Sequence, residues 1–252
     1  MVVFVYARIF CSFILCLLNI LQYSILPISV SRTIYFALLS ASLYITNTRI
    51  TVHGDKQSLG KNKLLIMCNH YCGLDFVVLG NMLQNHEHPL FTIVKADIVG
   101  STSDNNMVSN VMYYLKSALI SSSYFIPYKR GDREDGALVQ NTIVKTLDDG
   151  NNLLVFPEGA TRKTGIPKEF KNGIFHLAID NDLQILPITI KYKKDIGWEG
   201  AVALDLSSWF DNDVDVYIHD VVDSSKEKDF LSLKERVFNT ISGPLLPPSV
   251  KS

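Results

Sequence analysis

His70 and Asp75, in the segment Asn69-His70-Tyr71-Cys72-Gly73-Leu74-Asp75, form the pair of side chains best suited to coupled acid–base chemistry. A carboxylate on one imidazole nitrogen fixes the tautomer and leaves the other nitrogen free as a general base. That is a Ser-His-Asp triad without its Ser, so a substrate would have to bring the hydroxyl. On a continuous helix, residues five apart point about 140° away from each other and would not meet. They meet if His70 sits in a strand-to-helix turn and Asp75 in the first helical turn, a bend that Gly73 eases. The alternative is that His70 bonds locally and Asp75 is a solvated helix-start carboxylate.

A second segment, Phe156-Pro157-Glu158-Gly159-Ala160-Thr161-Arg162, also leaves an apolar run. Gly159 allows close backbone approach there, and the planar fork of Arg162 suits a phosphate. The competing reading is an ordinary turn with a surface Arg. Other reactive types in the chain carry less. Cys72 could be a nucleophile, but small buried cysteines are common. Cys68, Cys72, His86 and His88 might suggest zinc, but one of the cysteines, Cys68, falls inside a predicted strand. Lys191, Lys193 and Lys194 read as a solvated strand end.

The secondary structure around these segments alternates. Lys63 to Cys68, Leu90 to Val94, Tyr124 to Tyr128, Asn152 to Phe156, Leu183 to Lys191 and Val214 to Ile218 are short apolar runs that predict strands. Phe76 to Gln84, Asp104 to Leu119, Asp135 to Asp149 and Lys171 to Asp180 predict helices, the third closed by Gly150 as a left-handed cap. Alternation of this kind predicts an α/β domain with a mostly parallel central sheet flanked by helices, whose chemistry gathers beyond the carboxyl ends of the strands.

The chain has 252 residues, enough for one domain and a small appendage. Its 24 basic and 25 acidic residues leave a net charge of −1, without the basic footprint that a nucleic-acid partner requires. With 47% apolar residues it can bury a core. The charge is uneven: residues 1–48 hold only Arg8 and Arg32. Ile9 to Ser31 is uncharged and as a helix would be roughly 35 Å long, enough to cross a hydrocarbon core of about 30 Å. The run is too long for a signal-peptide core and lacks a small-x-small cleavage site. Thr33 to Thr48 is a second, shorter uncharged run. The expectation is an N-terminal membrane-associated two-helix segment, either a transmembrane hairpin or two helices lying in one leaflet. The four cysteines form no disulfide framework, and no Asn-x-Ser/Thr sequon occurs, both of which agree with a cytosolic domain. The division expected is 1–48 membrane helices, 49–243 the α/β domain and 244–252 a tail, with residues beyond Phe238 carrying no readable chemistry.

Taken together, NHYCGLD, FIPYKR, FPEGATR and the apolar block Ile185 to Ile190 with its central Pro187 resemble, in order and spacing, the blocks of the glycerolipid acyltransferase family, the lysophosphatidic acid acyltransferases and their relatives. Phe170-Lys171-Asn172-Gly173 and Lys95 in VKADIVG add to the likeness, which spans about residues 50–195. Two blocks depart from the pattern: FIPYKR has Tyr128 where an Arg is expected, and Ala160 is an extra residue before Thr161 and Arg162.

The resemblance implies an O-acyltransferase. His70 would be the general base on the free hydroxyl of a lysophospholipid and Asp75 would orient it. The alkoxide would attack fatty acyl-CoA, a co-substrate, to give phosphatidic acid. Backbone N–H groups near His70 or in the Gly159 loop would stabilise the oxyanion. Asn69, Glu158, Gly159 and Thr161 would shape the acceptor site, and Lys95, Arg130 and Arg162 would bind its phosphate. The chemistry requires no metal and no prosthetic group. The partners implied are the lipid bilayer and the two lipid substrates. The enzyme would lie on a membrane with its domain facing the cytosol, at the endoplasmic reticulum or another endomembrane in a eukaryote. Alternatives are another lysophospholipid or a glycerol phosphate as acceptor, or an inactive lipid-binding membrane module.

Overall fold

Leu64–Cys68 is apolar at all five positions and buried at all five, as expected of a strand covered on both faces. In the computed structural model it is strand β2, at the centre of the sheet. The structure describes residues 37, 40–41, 43–72, 74–83, 90–95, 125–129, 133–161, 166–194 and 210–246. The membrane segment expected within 1–48 falls mostly outside these residues, as does the helix expected over 104–119. Among the described residues no helix is long and apolar enough to cross a membrane. Leu43, in the second uncharged run, is buried in the core of the α/β domain.

The strands are β1 (Arg49–Gly54), β2 (Leu64–Cys68), β3 (Leu90–Lys95), β4 (Phe125–Tyr128), β5 (Asn152–Val155), β6 (Gln184–Tyr192), β7 (Asp213–Ile218) and β8 (Val222–Asp223). The helices are α1 (Leu74–Leu83), α2 (Arg133–Asp148), α3 (Gly173–Asp180) and α4 (Phe230–Ser242). The sheet order is β1-β7-β6-β2-β5-β3-β4, with β8 also on β6. Strands β6, β2, β5, β3 and β4 run parallel, while β7 and β8 are antiparallel to β6 and β1 follows β7. The α/β architecture with a mostly parallel sheet is therefore as the alternation predicts.

Side chains alternate across the pleat and build two cores. Leu64, Ile66 and Cys68 join α1 and the apolar side of β7 on one face. Leu65 and Met67 join α2, α3 and α4 on the other. Asn152 fastens the sheet's centre, accepting from Leu64 N (2.9 Å) and donating to Lys61 O (3.0 Å). Pro187 sits in a central strand although it lacks an N–H, which would ordinarily argue against such a place. It falls where β6 passes from its pairs with β8 (Gln184, Ile185) to those with β7 (Ile188 onward), at a gap in the ladder.

Several local features differ from expectation. β2 begins at Leu64 because Lys63 adopts a left-handed φ of 57°. Strands β1 and β8 are additions. Helix α4, for which the sequence reading offered no element, is a further addition: it runs to Ser242, a 3-10 turn follows over Gly243–Leu245, and Leu233, Val237 and Ile241 are buried. Lys191 and Lys194 are tied down, their ammonium groups donating to Pro244 O and Phe210 O. The cap at Gly150 is as predicted, with φ 87° and the paired bonds Gly150 N to Leu147 O and Asn151 N to Thr146 O.

Candidate active site

Because β2, β3, β4, β5 and β6 are parallel, their carboxyl ends lie along one edge of the sheet. Asn69 to Cys72 form the turn after β2, and Asp75 is the second residue of α1. This break between strand and helix lets His70 and Asp75 meet: His70 Nδ1 lies 2.9 Å from Asp75 Oδ2. Asp75 is fully buried and the His70 side chain 22% exposed, so the carboxylate is dry while the imidazole reaches the surface. The same Oδ2 accepts from Tyr71 N (2.6 Å) and Cys72 N (2.9 Å), and Oδ1 accepts from the Tyr192 hydroxyl (2.7 Å). Such donors keep a buried carboxylate tolerable.

His70 is held from two further directions. Its ring stacks on Phe156, centroids 4.1 Å apart and planes 18° apart. Its backbone N–H donates to Glu158 Oε1 (2.8 Å), while Glu158 Oε2 accepts from Lys168 N (2.8 Å). Glu158, 3% exposed, thus clasps the turn after β2 to the segment beyond the Phe156–Gly159 turn. That turn closes with Gly159 N on Phe156 O (3.0 Å), and Gly159 takes a φ of 67° that favours glycine. Asn69 imitates one more strand residue: its Nδ2 donates to Ile190 O (2.9 Å) and its Oδ1 accepts from Ile190 N (2.8 Å).

Asn69 and Glu158, expected to shape the acceptor site, hold the main chain in place around His70. The backbone N–H groups of His70, Tyr71 and Cys72 are committed to Glu158 and Asp75, so they are not free donors for an oxyanion, and Gly159 N is turned to Phe156 O. Thr161 is exposed beyond the turn. Lys95 ends β3, its Cα paired with Tyr128. Arg130 and Arg162 lie outside the described residues. Cys72 is unsuited to nucleophilic work: burial first, then the Asp75 charge, push its thiol up to about 12. Burial likewise raises the Cys68 thiol. Tyr192 and the Phe156 ring are contacts that the sequence reading missed. Phe156 stood inside a motif already singled out, but Tyr192 is 117 positions from Asp75 and had no local signal.

A family model described as Acyltransferase matches residues 49–191, more than half of the chain, and every residue of the arrangement around His70 except Tyr192 falls inside that span. The chain belongs to the acyltransferase family. A 1-acyl-sn-glycerol-3-phosphate acyltransferase of Borreliella burgdorferi is 21% identical over 183 residues, 73% of this chain and 64% of that protein. The 1-acyl-sn-glycerol-3-phosphate acyltransferase alpha of Ovis aries is 26% identical over 153 residues, 60% of this chain and 48% of that protein. The chain thus spans less than two thirds of the length of these curated relatives. In fold it is similar to the crystal structure of the 1-acyl-sn-glycerophosphate (LPA) acyltransferase of Thermotoga maritima, with a TM-score of 0.64 at 14% identity, over 97% of this chain and 94% of that one.

Proposed function

We propose that this acyltransferase-family chain is an O-acyltransferase that moves a fatty acyl group from acyl-CoA to the free hydroxyl of lysophosphatidic acid, giving phosphatidic acid. The observation that carries the reading is the dyad. His70 Nδ1 is bound to a fully buried Asp75, which leaves Nε2 as the basic nitrogen, and among the described residues no hydroxyl or thiol hydrogen-bonds to it. A base without a protein nucleophile suits a substrate that brings its own hydroxyl. Nε2 takes the hydroxyl proton as the oxygen attacks the thioester carbonyl. Asp75 stabilises the imidazolium that forms. Collapse of the tetrahedral intermediate breaks the carbon–sulfur bond, the CoA thiolate leaves, and the proton on Nε2 passes to it. The acceptor is drawn from the names of the relatives, and the CoA carrier from the resemblance of the motif blocks. Lys95, Arg130 and Arg162 are the candidate phosphate ligands, Gly159 and Thr161 candidates beside the acceptor.

Both substrates carry long acyl chains, and extracting one from a bilayer costs about 0.8 kcal/mol per buried CH₂. The uncharged run Ile9 to Ser31 would spare that cost by holding the domain at a membrane, facing the cytosol where acyl-CoA resides. Its test is sedimentation with membranes that resists high salt and yields to detergent.

The activity is tested by measuring CoA release from oleoyl-CoA with a panel of lysophospholipids, beside His70→Ala. Selective, His70-dependent release with lysophosphatidic acid is expected. Activity confined to another lysolipid keeps the mechanism and changes the acceptor, whereas no release above His70→Ala with any acceptor overturns the enzymatic reading.

A further inference from the structure

Asp75 divides its donors unevenly between its two oxygens. Oδ2 faces His70 Nδ1 and the N–H groups of Tyr71 and Cys72, all on the turn after β2. Oδ1 has the Tyr192 hydroxyl at 2.7 Å and, weakly, the Cys72 thiol at 3.9 Å. The terminal torsion of an Asp side chain is soft and roughly two-fold, so the backbone contacts alone leave the carboxylate plane loosely fixed. The Tyr192 hydroxyl is the strong donor on the other oxygen.

We propose that Tyr192 is a positioning residue for acyl transfer: its hydrogen bond to Oδ1 locks the Asp75 carboxylate plane so that Oδ2 stays on His70 Nδ1. The inference rests on the function proposed above. Tyr192 suits the task because its placement comes from the sheet. It is the last residue of β6, four beyond Ile188, the final partner of β2, so its ring reaches past the end of β2 to the turn that carries His70. The Tyr71 ring packs against it, centroids 5.3 Å apart. Its Cα is paired with Val214 of β7, which fixes the strand end from the other side. Burial and the neighbouring carboxylate raise the phenol well above its ordinary range, so the hydroxyl keeps its proton and remains a donor. Tyr192→Phe removes one oxygen atom and leaves the ring to fill the same space.

The experiment is a kinetic cycle on the full chain with oleoyl-CoA and lysophosphatidic acid: wild type, Tyr192→Phe, Asp75→Asn and the double variant. Tyr192→Phe is expected to lower kcat about tenfold or more while both KM values stay within about twofold. In the Asp75→Asn background the same change is expected to alter kcat by less than about twofold, because the path through which Tyr192 acts is already gone. An unchanged kcat, a raised KM at unchanged kcat, or the same factor in both backgrounds overturns the proposal. A second readout does not depend on turnover. The Nδ1–H proton resonance of His70, assigned by its loss in His70→Ala, is expected to shift in Tyr192→Phe. If the wild-type protein shows no His70-dependent transfer, the reading of function fails, and the resonance decides the positioning role alone: no shift overturns it. Should Tyr192→Phe fail to fold, 3-fluorotyrosine at position 192 keeps ring and hydroxyl while strengthening the donor. A shifted resonance is again expected, and an unmoved one overturns the proposal.

Discussion

Glu158 holds two backbone N–H groups that no other residue type would hold as well, since a carboxylate is acceptor-only on both oxygens. Glu158→Gln turns one of these into an amide NH₂ facing either His70 N or Lys168 N, donor against donor in a site 3% exposed. The variant is expected to lose about 1–3 kcal/mol of stability, read by denaturant unfolding, together with His70-dependent activity. The same change at the surface, Glu169→Gln, whose partner is Lys234, should do neither. Cys68 and Cys72 provide a second check at this scale. Their raised thiols are expected to resist iodoacetamide at pH 7.5 in the folded protein and to react once it is denatured, as followed by peptide mass mapping.

Among the elements, α4 is the one whose weight in the fold exceeds what its sequence position suggests. Asp229 starts it with a capping box, accepting from Ser232 N (2.8 Å) while the Ser232 hydroxyl accepts from Asp229 N (3.2 Å). Its apolar face then enters the second core, and Lys234 binds Glu169 and Asn172 beside α3. Leu233→Ala, at a fully buried position, is expected to cost about 2–5 kcal/mol, and a chain truncated after Glu227 should not fold, as read by circular dichroism. The opposite edge depends on close backbone approach. Gly54 ends β1 at φ +93°, and a Cβ there would lie 2.0 Å from Ile218 O. Gly54→Ala therefore forces β1 away from β7.

For the whole molecule, the parallel strands gather chain segments far apart in sequence along one edge, so the dyad is supported by β2, β5 and β6 at once. The rest of the sheet ties to α4 through a buried relay. The Thr189 hydroxyl donates to Ile241 O (2.7 Å), so it must accept from His219 Nε2 (2.9 Å). Burial lowers the His219 pKa from 6.5, outweighing the opposite pull of Asp220. Between that lowered value and 6.5 the unfolded chain binds a proton that the folded one does not, so stability falls as pH drops below about 6.5. The melting temperature is expected to be lower at pH 5.5 than at pH 7.5, and His219→Gln to flatten that difference. The carboxylates of Asp223 and Asp229, held below 3.8 by Ser225 and Ser232, act in a separate window, losing their contribution only as pH falls below that value.

Apolar runs, a glycine at a helix end and a turn between strand and helix are local signals, so the core strands and the Gly150 cap are legible in the chain, as is the condition under which His70 meets Asp75. Strand β1 was harder to read because only Ile50 and Val52 face the core and the rest is polar edge. Helix α4 had its cap and its apolar spacing written in the chain, but the following Gly and Pro residues drew the reading toward a tail. What surrounds the dyad comes from the tertiary fold alone. Tyr192 on Oδ1, Asn69 on the Ile190 backbone and Glu158 on two separate turns are contacts across 117, 121 and 88 positions or within a single loop closure of 10. Sequence spacing carries no information about such pairs, since they are brought together by strand order and register, and strand order is a property of the folded sheet.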